Sequence, residues 1–204
     1  MTAIRWMMAT LLIAPRPTRK PQDDIRERPL PVAKDFRDRI TTIEPDHFIL
    51  PLVAGEAATD QMIIDCAALG MFVRALRGRK MRTLNDLYDE FSAACQFPLY
   101  FGENLMSFDE CLSSLDNQDL GKGIVLAIVE PDQVLLDSVE AELELFLSCL
   151  INAASEWGEK IDSGEWWDRP AIPFHVILAG SQEQLDSCTA KWRSAKDGLR
   201  IDFS

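Results

Sequence analysis

The sequence has little of what most enzymes use for catalysis. It contains two histidines and no G-x-S-x-G segment that could present a nucleophilic serine. Its five cysteines are widely spaced and include no C-x-x-C pair, which argues against both a disulfide framework and a zinc site. Gly121 and Gly123 precede an apolar run, so they predict a turn and not a phosphate-binding loop. These absences favour a binding protein with no catalytic residues, no metal and no cofactor.

The chain also lacks an excess of positive charge. Its 204 residues carry a formal net charge of −12. Nine basic and six acidic residues fall within residues 1–45, whereas residues 46–204 contain twelve basic and twenty-seven acidic residues. Binding to nucleic acid is therefore not expected, because it relies on basic side chains that neutralise phosphates. An acidic surface instead favours fast encounter with a basic protein.

Long apolar runs are absent from the N-terminal part. The run 6–14 is too short to span a bilayer, has no small-residue cleavage site, and is followed at once by basic residues. We therefore predict neither a signal peptide nor a membrane anchor, and no membrane partner. Four cysteines fall on or beside the apolar stripes of predicted helices, so we expect them to be buried free thiols. Free thiols are typical of proteins in a reducing cytoplasm. The predicted location is cytoplasmic.

Proline divides the chain into two parts. Residues 1–45 hold six of the eleven prolines, so a flexible arm is predicted there. Phe36, Ile40 and Ile43 are expected to pack on the domain that follows, residues 46–204. The sequence indicates a monomer until a partner is bound.

Strand-like and helix-like patterns alternate along this domain. Short apolar runs predict strands at 47–53, 71–76, 123–129 and 174–178, with Pro51 placing the first at a sheet edge. Helices are predicted at 56–69, from Thr83 to about residue 95, at 104–115, at 131–157 and after Ser181. The first strand–helix–strand unit implies that its strands pair in parallel. We predict an α/β fold with a small, mostly parallel sheet of three or four strands. Apolar residues alternate with others at 199–203, and this segment could add a short edge strand.

One stretch, residues 96–115, stands out as a binding surface. A turn containing Pro98 and Gly102 presents Tyr100, and Asn104 then caps a short helix. The spacing of the apolar residues leaves Met106, Asp109, Glu110 and Ser113 facing away from the core. An aromatic residue beside carboxylates is typical of a surface that binds a basic partner. The same pattern is also typical of a solvent-exposed edge of the fold that binds nothing.

Three segments in this region resemble the barstar family, the cytoplasmic inhibitors of barnase-type ribonucleases. They are GRKMRTLNDLYDEF at 78–91, FPLYFGENL at 97–105 and DECLSSL at 109–115, and the resemblance extends over residues 71–193. It implies a three-layer fold in which the loop and second helix of the inhibitor cover the basic active site of the nuclease. Tyr100, Gly102 and Asn104 match the loop and cap positions of the family. Glu110 matches the acidic residue that projects deepest into the active site of the nuclease.

Two departures from the family pattern matter for function. Met106 occupies a position that is usually aspartate, and Asp109 stands where the best-known member has an aromatic residue. Glu103 helps to keep the local field negative. The first hypothesis is therefore a ribonuclease inhibitor or immunity protein whose partner is a toxin or secreted ribonuclease. The second is a non-catalytic interaction module on a barstar scaffold that no longer inhibits a nuclease.

Overall fold

The computed structural model describes residues 34–115 and 119–201. Within these ranges the chain forms six α-helices and four β-strands. In chain order they are α1 (Lys34–Ile40), β1 (Ile49–Val53), α2 (Glu56–Ala68), β2 (Phe72–Arg77), α3 (Leu84–Cys95), α4 (Leu105–Ser114), β3 (Ile124–Val129), α5 (Glu140–Gly158), β4 (Phe174–Gly180) and α6 (Gln182–Ala195). The predicted α/β class is confirmed.

The four strands form one parallel sheet in the order β1–β4–β3–β2. β3 and β4 read as continuous apolar runs and lie at the centre, where both faces are covered. β1 lies at an edge, as Pro51 predicts, because proline has no N–H for a ladder bond. The expected pairing of β1 with β2 is wrong. These two strands lie at opposite edges, since the central positions bury the more apolar β3 and β4.

Alternating side chains of the sheet divide the core into two parts. Ile124, Leu126 and Ile128 face the helices α3 to α6, whereas Val125 and Ala127 face α1 and α2. The fold therefore has three layers, helices–sheet–helices, as predicted from the resemblance.

Helix α1 belongs to this packed structure although it lies within the predicted arm. Ile40 is buried and Phe36 packs beside it, as predicted, whereas Ile43 is exposed. The remainder of the arm, residues 1–33, lies outside the described residues.

The long helix begins nine residues later than its apolar pattern predicts, at Glu140 instead of Pro131. Leu135 adopts a left-handed conformation with φ of 50°, and its N–H donates to Met81 O at 2.7 Å. The Arg82 guanidinium pairs with the Asp137 carboxylate at 2.7 Å. These contacts with the segment before α3 hold residues 130–139 as a short 3₁₀ helix (Pro131–Gln133) followed by turns. Two apolar residues of the predicted helix 131–157 are exposed in this segment: Leu136 and Val139.

The remaining predictions for buried residues have mixed outcomes. All five cysteines are buried and free. His175 is buried, its Nε2 lies 3.1 Å from Thr42 O, and burial lowers its pKa. At the C-terminal end Ile201 makes a single bridge with Ile49, and Phe203 lies outside the described residues.

No helix among the described residues is long and apolar enough to cross a membrane.

Candidate partner-binding surface

The loop between α3 and α4 is held on the core by its aromatic residues. Phe97 and Phe101 pack edge to face with centroids 5.1 Å apart, and Phe101 also contacts Tyr88 at 5.9 Å. The Phe101 N–H donates to Pro98 O at 2.9 Å, which closes the turn. Leu99 and Tyr100, at the tip of this turn, are exposed. The loop therefore presents two large side chains from a fixed backbone.

A ring of hydrogen bonds joins the loop to α4. Asn104 Oδ1 accepts from Ser107 N at 3.0 Å, and Asn104 Nδ2 donates to Gly102 O at 3.0 Å. Ser107 Oγ also accepts from Gly102 N at 3.2 Å. A Cβ on Gly102 would lie 2.8 Å from Asn104 Nδ2, so a side chain at this position would disturb the cap. Gly102 and Asn104 thus position the surface.

Replacing Asn104 with alanine is expected to lower the free energy of unfolding by about 1 kcal/mol, the usual cost of losing an N-cap side chain. Urea denaturation followed by circular dichroism measures this change. Asn104→Asp is the matched control, because it keeps the acceptor for Ser107 N and loses only the donor to Gly102 O. An alanine variant as stable as wild type would show that the cap contributes nothing.

Helix α4 has one face in the core and one in solvent. Phe108, Cys111 and Leu112 are buried. Met106 is 82% exposed, and Glu110, one turn further on, is also exposed and makes no ion pair with the described residues. Met106 and Glu110 therefore share an outward face, as i and i+4 residues of a helix do.

Asp109 does not face outward as predicted. It is half-buried, and its carboxylate oxygens accept from Asn152 Nδ2 on α5 at 3.1 and 3.2 Å. The pKa of the neighbouring Cys149 thiol is raised to about 12, first by burial and then by the charge and hydrogen bond of Asp109. Asp109 falls four residues after Leu105 and three before Leu112, a spacing that places all three on one side of the helix.

Ser113, also expected on the outward face, is half-buried. Its Oγ is buried and has no hydrogen-bond partner among the described residues. Besides Gly102 and Asn104 of the hydrogen-bond ring, the exposed residues of the predicted site are therefore Tyr100, Glu103, Met106 and Glu110.

A shallow groove of about 530 Å³ separates α4 from α5 beside this face. Leu105, Met106 and Asp109 form one wall. The other wall consists of four α5 residues: Leu145, Ser148, Cys149 and Asn152. Sequence reasoning missed this wall because it confined the predicted binding surface to residues 96–115. The signal was the i, i+3, i+7 spacing of Leu145, Ser148 and Asn152, which places them on one face.

A second cavity, of about 610 Å³, lies at the carboxyl ends of β1, β3 and β4. Arg79 and Glu130 line it and pair with each other at 2.7 Å. Neither histidine nor cysteine lines this cavity, and no cluster of potential metal ligands occurs in residues 34–115 and 119–201. The outward face of α4 with its loop is therefore the stronger candidate site.

Comparison with known proteins gives one family match. The model of a family described as "Barstar (barnase inhibitor)" matches residues 71–179, which include the loop, α4 and α5. No curated protein matches the sequence.

Two solved structures show a distant similarity to this chain. The ORC2 protein of Aeropyrum pernix, in ADPNP–ADP complexes, is 11% identical with a TM-score of 0.45, covering 77% of this chain and 40% of that one. Cdc6p from Pyrobaculum aerophilum is 14% identical with a TM-score of 0.44, covering 92% of this chain and 46% of that one. The chain thus spans less than half the length of either protein.

Proposed function

The chain belongs to the barstar family, and on that premise we propose that it is a protein inhibitor of a barnase-type or toxin ribonuclease. In this proposal the loop and α4 bind the nuclease and cover its basic active site. One observation carries the proposal. An exposed carboxylate without an ion pair among the described residues, Glu110, projects from a helix whose start is fixed by a closed hydrogen-bond ring.

A ribonuclease active site must bind phosphates, so it offers cationic groups to a carboxylate of the right geometry. Hydrogen bonds between ionised partners are roughly twice as strong as neutral ones. Because the cap and the aromatic anchors fix the backbone before binding, little conformational entropy remains to be lost. The excess of acidic over basic residues in the range 46–204 would also speed the encounter with a basic partner.

The proposal is tested by titrating barnase with this protein while RNA hydrolysis is followed. We expect Glu110→Ala to weaken inhibition by about 30-fold or more, because truncating one member of a buried interfacial charge pair costs about 2–5 kcal/mol. Asp60→Ala is the matched control. It removes one exposed carboxylate from α2, on the opposite side of the sheet.

Two results would count against an inhibitor. One is full barnase activity at a large molar excess of wild type, together with no binding to any basic ribonuclease encoded beside its gene. The other is equal inhibition by wild type and Glu110→Ala, which would remove the α4 face from the mechanism.

The exposure of Met106 favours a second candidate function. An apolar side chain at the centre of the outward face, beside a groove, suits a partner with an apolar contact residue as much as a nuclease. In this alternative the protein is an interaction module that has left nuclease inhibition. Capture of a partner that is not a ribonuclease, abolished by Met106→Glu, would support it.

In the proposed function the protein binds a partner protein and catalyses no reaction. Burial raises the pKa of the Cys66 thiol to about 11 and that of Cys95 to about 12, so neither is a ready nucleophile. Free buried thiols also suit a reducing cytoplasm, where an immunity protein would meet a nuclease before its export. A screen of small-molecule substrates that found turnover would contradict this part of the proposal.

A further inference from the structure

The segment between α5 and β4, residues 159–173, is a folded loop that we call the tryptophan loop. The Asp168 carboxylate accepts the N–H groups of Ser163, Gly164 and Glu165 at 2.9, 2.8 and 3.3 Å. Ile161 and Arg169 exchange two backbone hydrogen bonds, at 2.9 and 3.1 Å, at the base of the loop. The tip of the loop therefore has a fixed shape before any partner arrives.

Arg169 attaches this loop to the end of α5. Its guanidinium lies over the Trp157 ring at 4.3 Å and donates to Glu156 O and Glu159 O at 2.7 and 2.9 Å. Trp157 Nε1 in turn donates to Leu112 O of α4 at 3.1 Å. The base of the tryptophan loop thus lies beside the C-terminal end of the helix that presents Glu110.

Trp166 and Trp167 form the exposed part of the loop. Trp166 is 89% and Trp167 50% exposed, and their rings pack edge to face with centroids 5.4 Å apart. Two indoles are the largest apolar groups a surface can offer, and exposing both to water is unfavourable. Tryptophan is also among the residues that contribute most to binding at protein interfaces. The pair is therefore a candidate contact site.

The charge of the loop indicates what the pair would contact. The loop contains four acidic and two basic residues. Lys160 pairs with Asp162 at 2.8 Å, which neutralises both charges, and Arg169 is held as described, so the remaining net charge of the loop is negative. Tryptophan faces attract cationic side chains, most often arginine. The net negative charge of the loop also favours a cationic side chain.

We propose that Trp166 and Trp167 bind an arginine or lysine side chain of the same basic protein that α4 contacts, as a second contact region. This inference rests on the proposed function only for the identity of the partner. The preference for a cationic side chain rests on the loop itself, so the two can be tested separately.

The first experiment uses hexa-arginine peptide and the full-length protein. We expect the indole N–H resonances of Trp166 and Trp167 in a ¹⁵N NMR spectrum to shift on titration, while that of buried Trp157 stays in place. The double variant Trp166→Leu/Trp167→Leu should bind the peptide about fivefold more weakly, because leucine keeps apolar contact and loses the ring face. Both side chains are exposed, and an unchanged circular dichroism spectrum confirms that the variant folds.

The second experiment uses barnase. The double variant should release it about fivefold faster than wild type, with little change in association rate. Ile64→Ala is the control, since Ile64 is an exposed apolar residue on α2, on the opposite side of the sheet. Equal release rates for wild type and the double variant would overturn the inference and leave the inhibitor function intact. If wild type binds neither barnase nor a basic ribonuclease encoded beside its gene, that function fails, and unmoved indole resonances in the peptide titration would overturn the inference independently.

Discussion

Replacing Met106 with aspartate is expected to tighten the complex with barnase by about 100-fold, because close charge pairs at the barnase–barstar interface couple by about 1.5–7 kcal/mol. Met106 lies one helical turn before Glu110, so the new carboxylate would join the existing one on the outward face. At 82% exposure it can be replaced without repacking the core. The position also lies in the first turn of α4, where negative charge interacts favourably with the helix dipole. Inhibition constants measured at low and high salt test this expectation.

Met106→Asn separates the effect of charge from that of size. It matches aspartate in shape and carries no charge, so its affinity should stay close to that of wild type. The gain with aspartate should shrink as salt concentration rises, because exposed charges are screened. If aspartate and asparagine bind equally, the missing charge does not explain any weakness of wild type. If aspartate weakens the complex with a captured partner, the apolar residue is itself a contact, as the interaction-module alternative requires.

Replacing Phe108 with alanine is expected to lower the free energy of unfolding by about 3–5 kcal/mol. The ring is fully buried and contacts four others: Tyr88 at 5.5 Å, Phe91 at 5.1 Å, Phe97 at 6.0 Å and Phe146 at 6.2 Å. It therefore joins α3, the loop, α4 and α5. Removing it leaves a cavity that the neighbouring rings, which belong to three different elements, cannot fill. Since single domains are stable by only about 5–15 kcal/mol, much of the total stability would be lost.

Urea denaturation measures this effect, with Phe108→Leu as the control. Leucine keeps apolar volume and should cost clearly less than alanine. The Phe97 contact predicts a second consequence, since loss of the ring should loosen the loop that presents Tyr100. Faster amide hydrogen exchange at residues 97–101 than in Phe108→Leu would show it. A loss below about 1 kcal/mol for the alanine variant would mean that the aromatic cluster contributes far less than its burial indicates.

The features that sequence reasoning predicted correctly are local ones. Helices α3 and α6 begin after Thr83 and Ser181 as predicted, because each of these residues forms a capping box with the residue three positions on, Asp86 or Gln184. Asn104 caps α4 through a contact of the same range. The apolar runs 123–129 and 174–178 likewise form the strands β3 and β4.

The features that it missed depend on contacts between distant segments. The late start of α5 follows from hydrogen bonds of residues 135 and 137 to residues 81 and 82, which no helical periodicity can reveal. Asp109 turns inward because Asn152 of α5 offers it two hydrogen-bond contacts. The groove beside Met106 exists only once α4 and α5 lie side by side. For the candidate site, the sequence therefore located the surface but not its inward carboxylate or its second wall.

The strand order has a consequence for how the chain folds during synthesis. Apart from the single bridge to Ile201, β1 pairs only with β4 among the described residues, its Ile49 opposite Val176, so β1 has no neighbouring strand until β4 has also left the ribosome. Pairings between such distant segments form slowly, because a long loop must close first. In the interval β1 is an apolar segment with two open edges, which invites pairing with other chains. Pro51 at its middle removes one N–H donor, and we expect it to protect the nascent chain from aggregation as well as to mark the edge of the finished sheet.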